Sequence, residues 1–338
     1  MSVRGIAVIG SGGIAEQHLG AIREIPHAKL AGVYSRTREK AQKVGEREKC
    51  RWTTDYRELL RDREVEVVDV VTSSGSHGSI AIEALEAGKH VLVEKPMAMT
   101  LSECDRMVDL ARSKRVTLSV VSQRRFEEQN RRIKQLVTEG AIGKLLLVEV
   151  SCPYYRTQEY YQSADWRGKV ATDGGAIMNQ GIHSVDLMLW FAGPARSVQG
   201  KCATQTHRIE AEDLALAIVT FQSGAFGTIM ASTSIQPGFQ PCLNLYGEKG
   251  SIKLDGSSIA HWTVPGVPKP DAAGPASAAI TSPKLAGHEQ HKLQILDALA
   301  AIEERRPPLV TGEDGRRAVQ LIQGLYDSSR TGRPVDLC

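Results

Sequence analysis

Short apolar runs alternate with amphipathic segments through the first 123 residues. The runs are rich in Val and Ile, and the stretches between them have helical spacing. Continuous apolar strands joined by helices are typical of parallel βαβ units, because helices cover both faces of a parallel sheet. The predicted strands lie at 6–9, 30–34, 65–71, 91–93 and 116–121.

The pattern changes after Gly143, where longer strands follow one another with short connections. Glycine-containing turns such as 222–225 favour hairpins, so a mostly antiparallel sheet is predicted. One helix at about 175–190 interrupts this sheet, and the Pro-, Ala- and Gly-rich stretch 265–283 is expected to be an excursion. The strands are expected at 144–152, 198–206, 213–221, 226–234, 243–246 and 251–254, and two closing helices at 288–304 and 313–329.

These patterns predict an α/β protein of two domains. A parallel-sheet domain is expected at 1–123, and an α+β domain with a mostly antiparallel sheet at 124–338. The length of 338 residues agrees with this division, at roughly 150 residues per domain.

Composition excludes several classes of protein. Lys and Arg number 42 against 39 Asp and Glu, and the net charge of +3 comes without a basic run, which argues against nucleic-acid binding. No apolar stretch approaches the roughly 18 residues of a membrane span, and the residues before the first strand lack the pattern of a signal peptide, so we expect none. The six scattered cysteines form no C-x-x-C pair, so we expect free thiols, a cytoplasmic location and no metal site.

A glycine motif follows the first predicted strand directly. Gly10 allows a tight turn, Gly12 lets a pyrophosphate approach the backbone, and Ala15 permits close packing of the helix on the strand. The amides of Gly13 and Ile14 then open a helix whose N-terminus favours phosphate. A dinucleotide site is therefore predicted.

The end of the second strand bears on the choice of dinucleotide. Ser35 and Arg36 stand where an acidic residue would bind the ribose 2′-hydroxyl of NAD. A hydroxyl and a guanidinium suit a 2′-phosphate, which favours NADP. The alternative is that Arg36 stacks on the adenine and NAD binds.

Two groups of polar residues suit catalysis. Lys95 follows the strand 91–93, and in an open parallel sheet that end of a strand faces the ligand. Its amine can stabilise a developing alkoxide or act as a base, unless it is a surface lysine at a turn. Asn179, His183 and Asp186 share one face of an otherwise apolar helix, where His183 can take a proton. The alternative is a core histidine satisfied by Asp186.

These motifs together resemble the Gfo/Idh/MocA family of glucose–fructose oxidoreductase and inositol-dehydrogenase-like enzymes. The resemblance rests on the Gly10 motif, on Glu94-Lys95-Pro96, and on Asn179-x-x-x-His183-x-x-Asp186 after Gly174-Gly175, and it extends over nearly the whole chain. It implies a Rossmann-type first domain and a second domain with a large, open-faced, mostly antiparallel sheet. The activity that it implies is hydride transfer between NAD(P) and a secondary hydroxyl or ketone of a sugar, sugar derivative or cyclitol. It also implies homodimers or homotetramers that associate through the second sheet.

The resemblance implies roles for individual residues. Lys95 and His183 match the catalytic lysine and histidine, while Asn179 stands where many members have an aspartate that would orient and charge-stabilise the imidazole. Because of this departure, Lys95 is expected to take the larger part in catalysis. Residues expected to line the cofactor, besides the glycine motif, are Ser35, Arg36, Thr72, Ser73, His77, Glu94, Lys95, Gln123, Trp166 and Arg167.

Substrate contacts are expected from Tyr154 and Arg156, because an aromatic ring stacks on a sugar and a guanidinium binds a carboxylate or phosphate. The alternative is an aromatic cluster at a surface or interface. His288 either contacts substrate or merely begins a helix. Two other functions stay open: a dehydrogenase of nucleotide-linked sugar acids, and a regulator that binds dinucleotide or sugar without turnover.

Overall fold

The computed structural model describes residues 2–270 and 287–337, and it divides into two compact units. The first comprises Met1–Gln123 with Pro283–Arg316, and the second comprises Arg124–Ser282 with Arg317–Cys338. The sequence pattern assigns 287–316 to the second domain, whereas the structure groups these residues with the first unit. Most of the expected excursion at 265–283 lies outside the described residues.

The first unit is built on a six-stranded sheet in the order β3-β2-β1-β4-β5-β6, and every strand is parallel to its neighbours. From β1 to β3 successive strands are added on one side of the sheet, and from β4 to β6 on the other side. Ligands of such sheets bind beyond the carboxyl ends of the strands where this order changes, here between β1 and β4. The strands are β1 (Arg4–Ile9), β2 (Ala28–Tyr34), β3 (Arg51–Thr53), β4 (Val67–Val70), β5 (His90–Val93) and β6 (Leu118–Val120).

Five helices connect these strands, and a sixth joins them from late in the chain. That late helix contributes Ile295 and Leu299 to a buried apolar cluster that also contains Leu19 and Ile22 of the first helix, which explains why it belongs to this unit. The helices are α1 (Gly13–Arg23), α2 (Arg38–Glu48), α3 (Tyr56–Arg61), α4 (His77–Glu86), α5 (Leu101–Lys114) and, after α6–α8 of the second unit, α9 (Glu289–Glu304).

The second unit contains an eight-stranded sheet in the order β13-β12-β11-β7-β10-β9-β8-β14. Only the pair β7 and β10 is parallel, so the sheet is mostly antiparallel, as predicted. The strands are β7 (Leu145–Pro153), β8 (Ala195–Ala203), β9 (Leu214–Phe221), β10 (Phe226–Ser232), β11 (Cys242–Gly247), β12 (Ser251–Asp255), β13 (Ser258–Trp262) and β14 (Val335–Asp336).

One face of this sheet is buried and the other is open. Along β9, Ala215, Ala217 and Val219 are buried, while Leu216 and Ile218 between them are 48% and 60% exposed. This alternation with period two is that of a strand with one covered face. Helices of the second unit are α6 (Glu128–Thr138), α7 (Gln158–Gln162), α8 (Ile182–Ala192) and α10 (Gly312–Thr331), which begins in the first unit.

Two further findings bear on the sequence-based expectations. Within residues 2–270 and 287–337, no helix is both long and apolar enough to cross a membrane. The five described cysteines are free thiols, at Cys50, Cys104, Cys152, Cys202 and Cys242.

Candidate functional site

The turn after β1 requires a glycine at its first position. Gly10 has φ +138°, and a Cβ there would lie 2.5 Å from the carbonyl oxygen of Val71, which excludes every other residue. The Gly10 amide donates to the Tyr34 carbonyl oxygen at 3.1 Å. This turn therefore directs the chain beyond the carboxyl ends of the strands.

The next two glycines have a different environment. Gly12 is the N-cap of α1 and Gly13 its first residue, and a Cβ on either would meet no atom of the described chain within 4 Å. No side chain caps this helix, and both glycines are exposed whereas Ile14 is half-buried. The absent side chains leave the first amides of α1 open to a phosphate, so these residues fit a dinucleotide.

The residues after β2 provide a hydroxyl and a cation. The buried Ser35 hydroxyl accepts hydrogen bonds from Ser11 Oγ at 2.8 Å and from the Thr37 amide at 3.3 Å. Arg36 is exposed and forms no ion pair with a residue of the described ranges. Arg38, in contrast, lies over the Trp52 ring at 5.3 Å. Arg36 is thus the guanidinium beside Ser35 that remains available for a phosphate.

The loops after β4 and β5 are joined by His77. Its Nδ1 lies 2.7 Å from the Pro96 carbonyl oxygen and its Nε2 lies 3.1 Å from that of Thr72. The ring is 2% exposed, and burial lowers its pKa. The sequence places His77 along the cofactor, but both ring nitrogens face the chain itself, which fits a brace between two loops. Thr72 and Ser73 are half-exposed.

Glu94 points into the core while Lys95 is half-exposed at the end of β5. Glu94 Oε2 accepts a hydrogen bond from the Lys95 amide at 3.0 Å, and its Oε1 lies 3.1 Å from His18 Nε2. The Lys95–Pro96 peptide is cis. Glu94, predicted to contact cofactor, therefore has both carboxylate oxygens engaged within the chain.

His18 is a buried residue that the sequence analysis missed. Its Nδ1 lies 2.7 Å from Asp69 Oδ2, which with the Glu94 contact places the ring between two carboxylates. Burial opposes the charged ring, but the charges and hydrogen bonds of Asp69 and Glu94 outweigh it and raise the pKa of His18 to about 10. An apolar-face position on α1 gives no sequence signal for such a contact.

Gln123 follows β6 and carries a buried polar atom. Its Oε1 is buried and has no hydrogen-bond partner among the described residues. Because an unsatisfied buried oxygen is costly, a donor from a ligand would stabilise it. The carboxamide of a nicotinamide is such a donor, and the contact expected between Gln123 and the cofactor stays a prediction.

In the second unit, Asn179 and His183 lie on different kinds of helix. Ala176–Gly181 forms a π-helical turn that leads into α8, so Asn179 precedes the regular helix and His183 is its second residue. Both side chains are half-exposed. Such turns are frequent at functional sites because they alter where side chains project.

Asp186 serves a structural ion pair. Both of its oxygens accept hydrogen bonds from Arg125, at 2.8 Å from Nε and 2.6 Å from Nη2, and both residues are buried. Asp186 therefore has a structural partner of its own in Arg125, and the alternative in which it also satisfies His183 stays a prediction.

Asn179 lies beside a carboxylate that sequence reasoning did not find. Its Nδ2 donates to Asp173 Oδ1, and Asp173 Oδ2 accepts from the Gly168 amide at 2.7 Å. Asp173 is 1% exposed. The buried carboxylate of Asp173 therefore lies next to Asn179, the position where many family members have an aspartate. The sequence signal for Asp173 was its position directly before Gly174-Gly175.

Tyr160 lies between two arginines. The Arg156 and Arg167 guanidinium carbons lie 5.4 and 4.1 Å from the centre of its ring, and Arg167 lies 4.5 Å from the Trp166 ring. Arg156 also lies 5.7 Å from the Tyr154 ring, and burial raises the pKa of Tyr154. Two cations on stacked aromatic faces form a surface suited to an anionic sugar.

Glu212 is a second buried acid absent from the sequence analysis. Its Oε1 accepts from the Ile177 amide at 2.9 Å and from the Tyr326 hydroxyl at 3.2 Å. Burial raises the pKa of Glu212 to about 8, against the opposing effect of these hydrogen bonds. The acid therefore holds the start of the π-helical turn.

His288 immediately precedes α9, where its Nε2 lies 2.8 Å from Glu24 Oε1 and its ring lies against Gly20. This contact within the first unit favours the interpretation as a helix-start residue.

Comparison with known proteins agrees with these features. Residues 4–122 match an oxidoreductase family with an NAD-binding Rossmann fold, and residues 130–253 match the GFO/IDH/MocA C-terminal domain. The WlbA dehydrogenase from Bordetella pertussis, solved in complex with NADH and UDP-GlcNAcA, is 31% identical, with 99% of each chain covered and a TM-score of 0.88.

Two relatives of known activity cover much of the chain at lower identity. A myo-inositol 2-dehydrogenase of Thermotoga maritima is 27% identical over 98% of each chain. An NADP(+)-dependent scyllo-inositol 2-dehydrogenase of Bacillus subtilis, IolW, is 29% identical over 84% of this chain and 82% of its own. The two matched domains and the full-length similarity confirm the prediction from the motifs: this chain belongs to the Gfo/Idh/MocA family of oxidoreductases.

Proposed function

We propose that this protein is an NAD(P)-dependent dehydrogenase that acts on a secondary hydroxyl, or the matching ketone, of a sugar, sugar derivative or cyclitol. The observation that carries the proposal is the arrangement of the first sheet, where the Gly10–Gly13 turn and Lys95 follow the carboxyl ends of β1 and β5. That edge of a parallel sheet is where dinucleotide and substrate meet.

The proposed chemistry assigns one task to each residue. When bound, the nicotinamide accepts or donates the hydride. Lys95 Nζ donates a hydrogen bond to the substrate oxygen and stabilises its alkoxide character. A ring nitrogen of His183 takes the hydroxyl proton, directly or through water. Asn179, held by Asp173, orients substrate or imidazole without adding charge.

For the cofactor we propose NADP, held by the backbone of the glycine turn and by further side chains. Arg36 pairs with the 2′-phosphate beside the Ser35 hydroxyl. The alternative, in which Arg36 stacks on adenine and the cofactor is NAD, predicts similar losses of both cofactors when Arg36 is removed. The other proposed cofactor contacts are Thr72, Ser73, Gln123, Trp166 and Arg167.

A second substrate class is favoured by one feature of the second unit. Arg156 and Arg167 both lie on Tyr160, and Arg156 Nη2 also donates to Gln180 Oε1 at 2.9 Å. Two guanidinium groups on one aromatic ring suit a carboxylate or diphosphate, as in a nucleotide-linked sugar acid. The similarity to a dehydrogenase solved with UDP-GlcNAcA supports this alternative.

We further propose a homodimer or homotetramer formed through the open face of the second sheet. Ile218 and Phe226 are 60% and 57% exposed on neighbouring strands of that sheet. Exposed apolar groups clustered on one face are typical of an interface.

The free thiols of the described cysteines agree with a reducing, cytoplasmic location, which we propose for this protein.

The testing experiment follows the absorbance of reduced cofactor with both NAD and NADP across cyclitols, free sugars and nucleotide-linked sugars. Turnover that is lost in Lys95→Ala, with cofactor binding retained, is the expected result. Tight dinucleotide binding without turnover on any class would favour the regulator. Turnover unchanged in Lys95→Ala would overturn the role given to Lys95.

A further inference from the structure

A buried chain of polar side chains runs beneath Lys95 in the first unit. It begins at Asp69 of β4, passes through the His18 ring of α1, and ends at Glu94, whose second oxygen accepts the Lys95 amide hydrogen. His18 and Asp69 are each 1% exposed in their side chains, and Glu94 is 6% exposed. Three elements of the sheet domain are therefore joined at one imidazole.

The hydrogen bonds determine the charge of this imidazole. Ionised carboxylates only accept hydrogen bonds, so contacts at 2.7 Å from Nδ1 and 3.1 Å from Nε2 both need a ring proton. His18 is thus an imidazolium between two carboxylates, and the three side chains together carry one negative charge. One of the two carboxylates that share this charge is Glu94, which adjoins Lys95 in the chain.

His291 of α9 completes the surroundings. Its ring centre lies 5.1 Å from that of His18, and its Nε2 lies 3.8 Å from Glu94 Oε1. Burial and the charge of His18 lower the pKa of His291 to about 4, so this ring stays neutral. The titratable groups that face His18 are therefore Asp69 of β4, Glu94 directly after β5, and His291 of α9. Lys95 lies beyond Glu94.

We propose that His18 is a positioning residue for Lys95. It fixes the Glu94 carboxylate in the orientation that accepts the Lys95 amide, and so couples α1, the helix of the glycine turn, to the placement of the reactive amine. This inference rests on the proposed function for its catalytic consequence, but the placement of Lys95 can be measured without turnover.

The first test compares His18→Gln with His90→Gln. His90 lies at the opposite end of β5, where its Nδ1 accepts the Thr117 amide at 2.9 Å, so the control makes the same substitution away from Lys95. Loss of a residue that orients a reactive group through a hydrogen bond costs roughly 10–100-fold in activity where it has been measured, at metal sites. We expect a fall in kcat of about tenfold or more in His18→Gln, with KM and dinucleotide Kd within about threefold. Equal kcat in both variants would overturn the proposal.

The second test uses pH and separates positioning from simple loss of stability. The wild-type pKa of His18 is about 10, so His18 keeps its proton between pH 6 and 9. Asp69→Asn removes the largest contribution that holds this pKa up, so the profile of kcat should gain an alkaline decline within that range. A parallel profile at lower amplitude would indicate a structural role and contradict the proposal.

The third test reads Lys95 directly and does not depend on substrate. Lysines are dimethylated with ¹³C, and the Lys95 signal is identified by its loss in Lys95→Arg. His18→Gln should shift this signal and His90→Gln should not; an unmoved signal overturns positioning. If the wild type turns over no substrate, the proposed function fails, and this measurement still decides the role of His18.

One other result would also overturn the proposal. His18, Glu94 and His291 place three potential metal-ligand atoms within 4.8 Å of one another. Thermal stabilisation of the apoprotein by Zn²⁺, lost in both His18→Gln and His291→Gln, would show that the cluster binds a metal instead. We expect no such stabilisation.

Discussion

Arg125 and Asp186 form a bidentate ion pair inside the second unit, with contacts of 2.8 and 2.6 Å. The Arg125 guanidinium also lies 5.4 Å from the Trp190 ring centre. Asp186 is the last member of the polar motif on α8, and this contact gives it a role in stability. The pair ties α8 to the residues that follow the first sheet.

Removal of one partner should destabilise the protein strongly. Asp186→Ala leaves a buried guanidinium uncompensated, and we expect unfolding free energy to fall by about 3–5 kcal/mol. Urea denaturation of the variant and the wild type measures this difference in unfolding free energy. The exposed pair Lys29–Glu64 provides the control, since Glu64→Ala should cause no resolved change. A small loss in Asp186→Ala would mean that the buried pair is not formed in solution.

The glycines of the turn should separate folding from binding. Gly10→Ala forces a Cβ against the Val71 carbonyl oxygen and should lower the melting temperature. Gly12→Ala meets nothing in the described chain, so melting should stay unchanged. Dinucleotide Kd, measured by fluorescence titration, should nevertheless rise at least about tenfold, or about 1.4 kcal/mol. Unchanged Kd in Gly12→Ala would place the phosphates elsewhere.

Arg36 should determine whether the protein prefers NADPH or NADH. In Arg36→Ala the NADPH Kd should rise by roughly tenfold or more, because a charge-assisted hydrogen bond of about 1.5–3 kcal/mol is lost. The NADH Kd should change less than twofold. Arg38→Ala is the neighbouring control, since its guanidinium is held on Trp52. NADPH affinity that survives Arg36→Ala contradicts the 2′-phosphate contact.

Glu212 should make stability fall as pH rises. Burial raises its folded-state pKa to about 8, whereas the ordinary value is 4.5, so the folded state binds more protons than the unfolded state between these values. Unfolding free energy therefore decreases through that window, by up to about 1.4 kcal/mol per pH unit from this group. Glu212→Gln mimics the protonated acid and should remove this contribution in urea titrations from pH 5 to 8. Equal slopes in both proteins would show that Glu212 ionises normally.

The open sheet face should determine assembly. Ile218→Glu puts a charge in the centre of the proposed interface, and light scattering should then detect monomers. Val3→Glu, at a site 59% exposed in the first unit, is the matched control and should keep the wild-type mass. A wild-type mass in Ile218→Glu would place the interface on another surface.

The sequence predicted most of the strands because their signal is local, but it missed the short strands β3, β13 and β14. The runs at 30–34 and 213–221 correspond to β2 and β9, and the closing helix expected at 313–329 corresponds to α10, where Thr311 Oγ1 accepts the Asp314 amide at 3.2 Å. The helix α6 was missed, since it contains few apolar residues. The π-helical turn before α8 was also missed, because periodicity does not distinguish one wide turn within a helix.

The polar core could not be predicted in the same way. His18 meets Glu94 across 76 positions of sequence, and Arg125 meets Asp186 across 61. No local pattern signals pairs so far apart, and each residue alone is ordinary for its position in the chain. Residues that hold the motifs in place are therefore found only once the chain is folded, whereas the motifs themselves are visible in the sequence.

The three glycines of the turn also differ in what would happen to them during evolution. Gly10 is required by the chain's own backbone, so it should persist in any descendant that keeps the fold. Gly12 and Gly13 are free of such packing, and only a ligand would oppose their replacement. In a lineage that stopped binding dinucleotide, the first glycine would remain while side chains accumulated at the other two. The turn would thus record the loss of cofactor after the activity itself had disappeared.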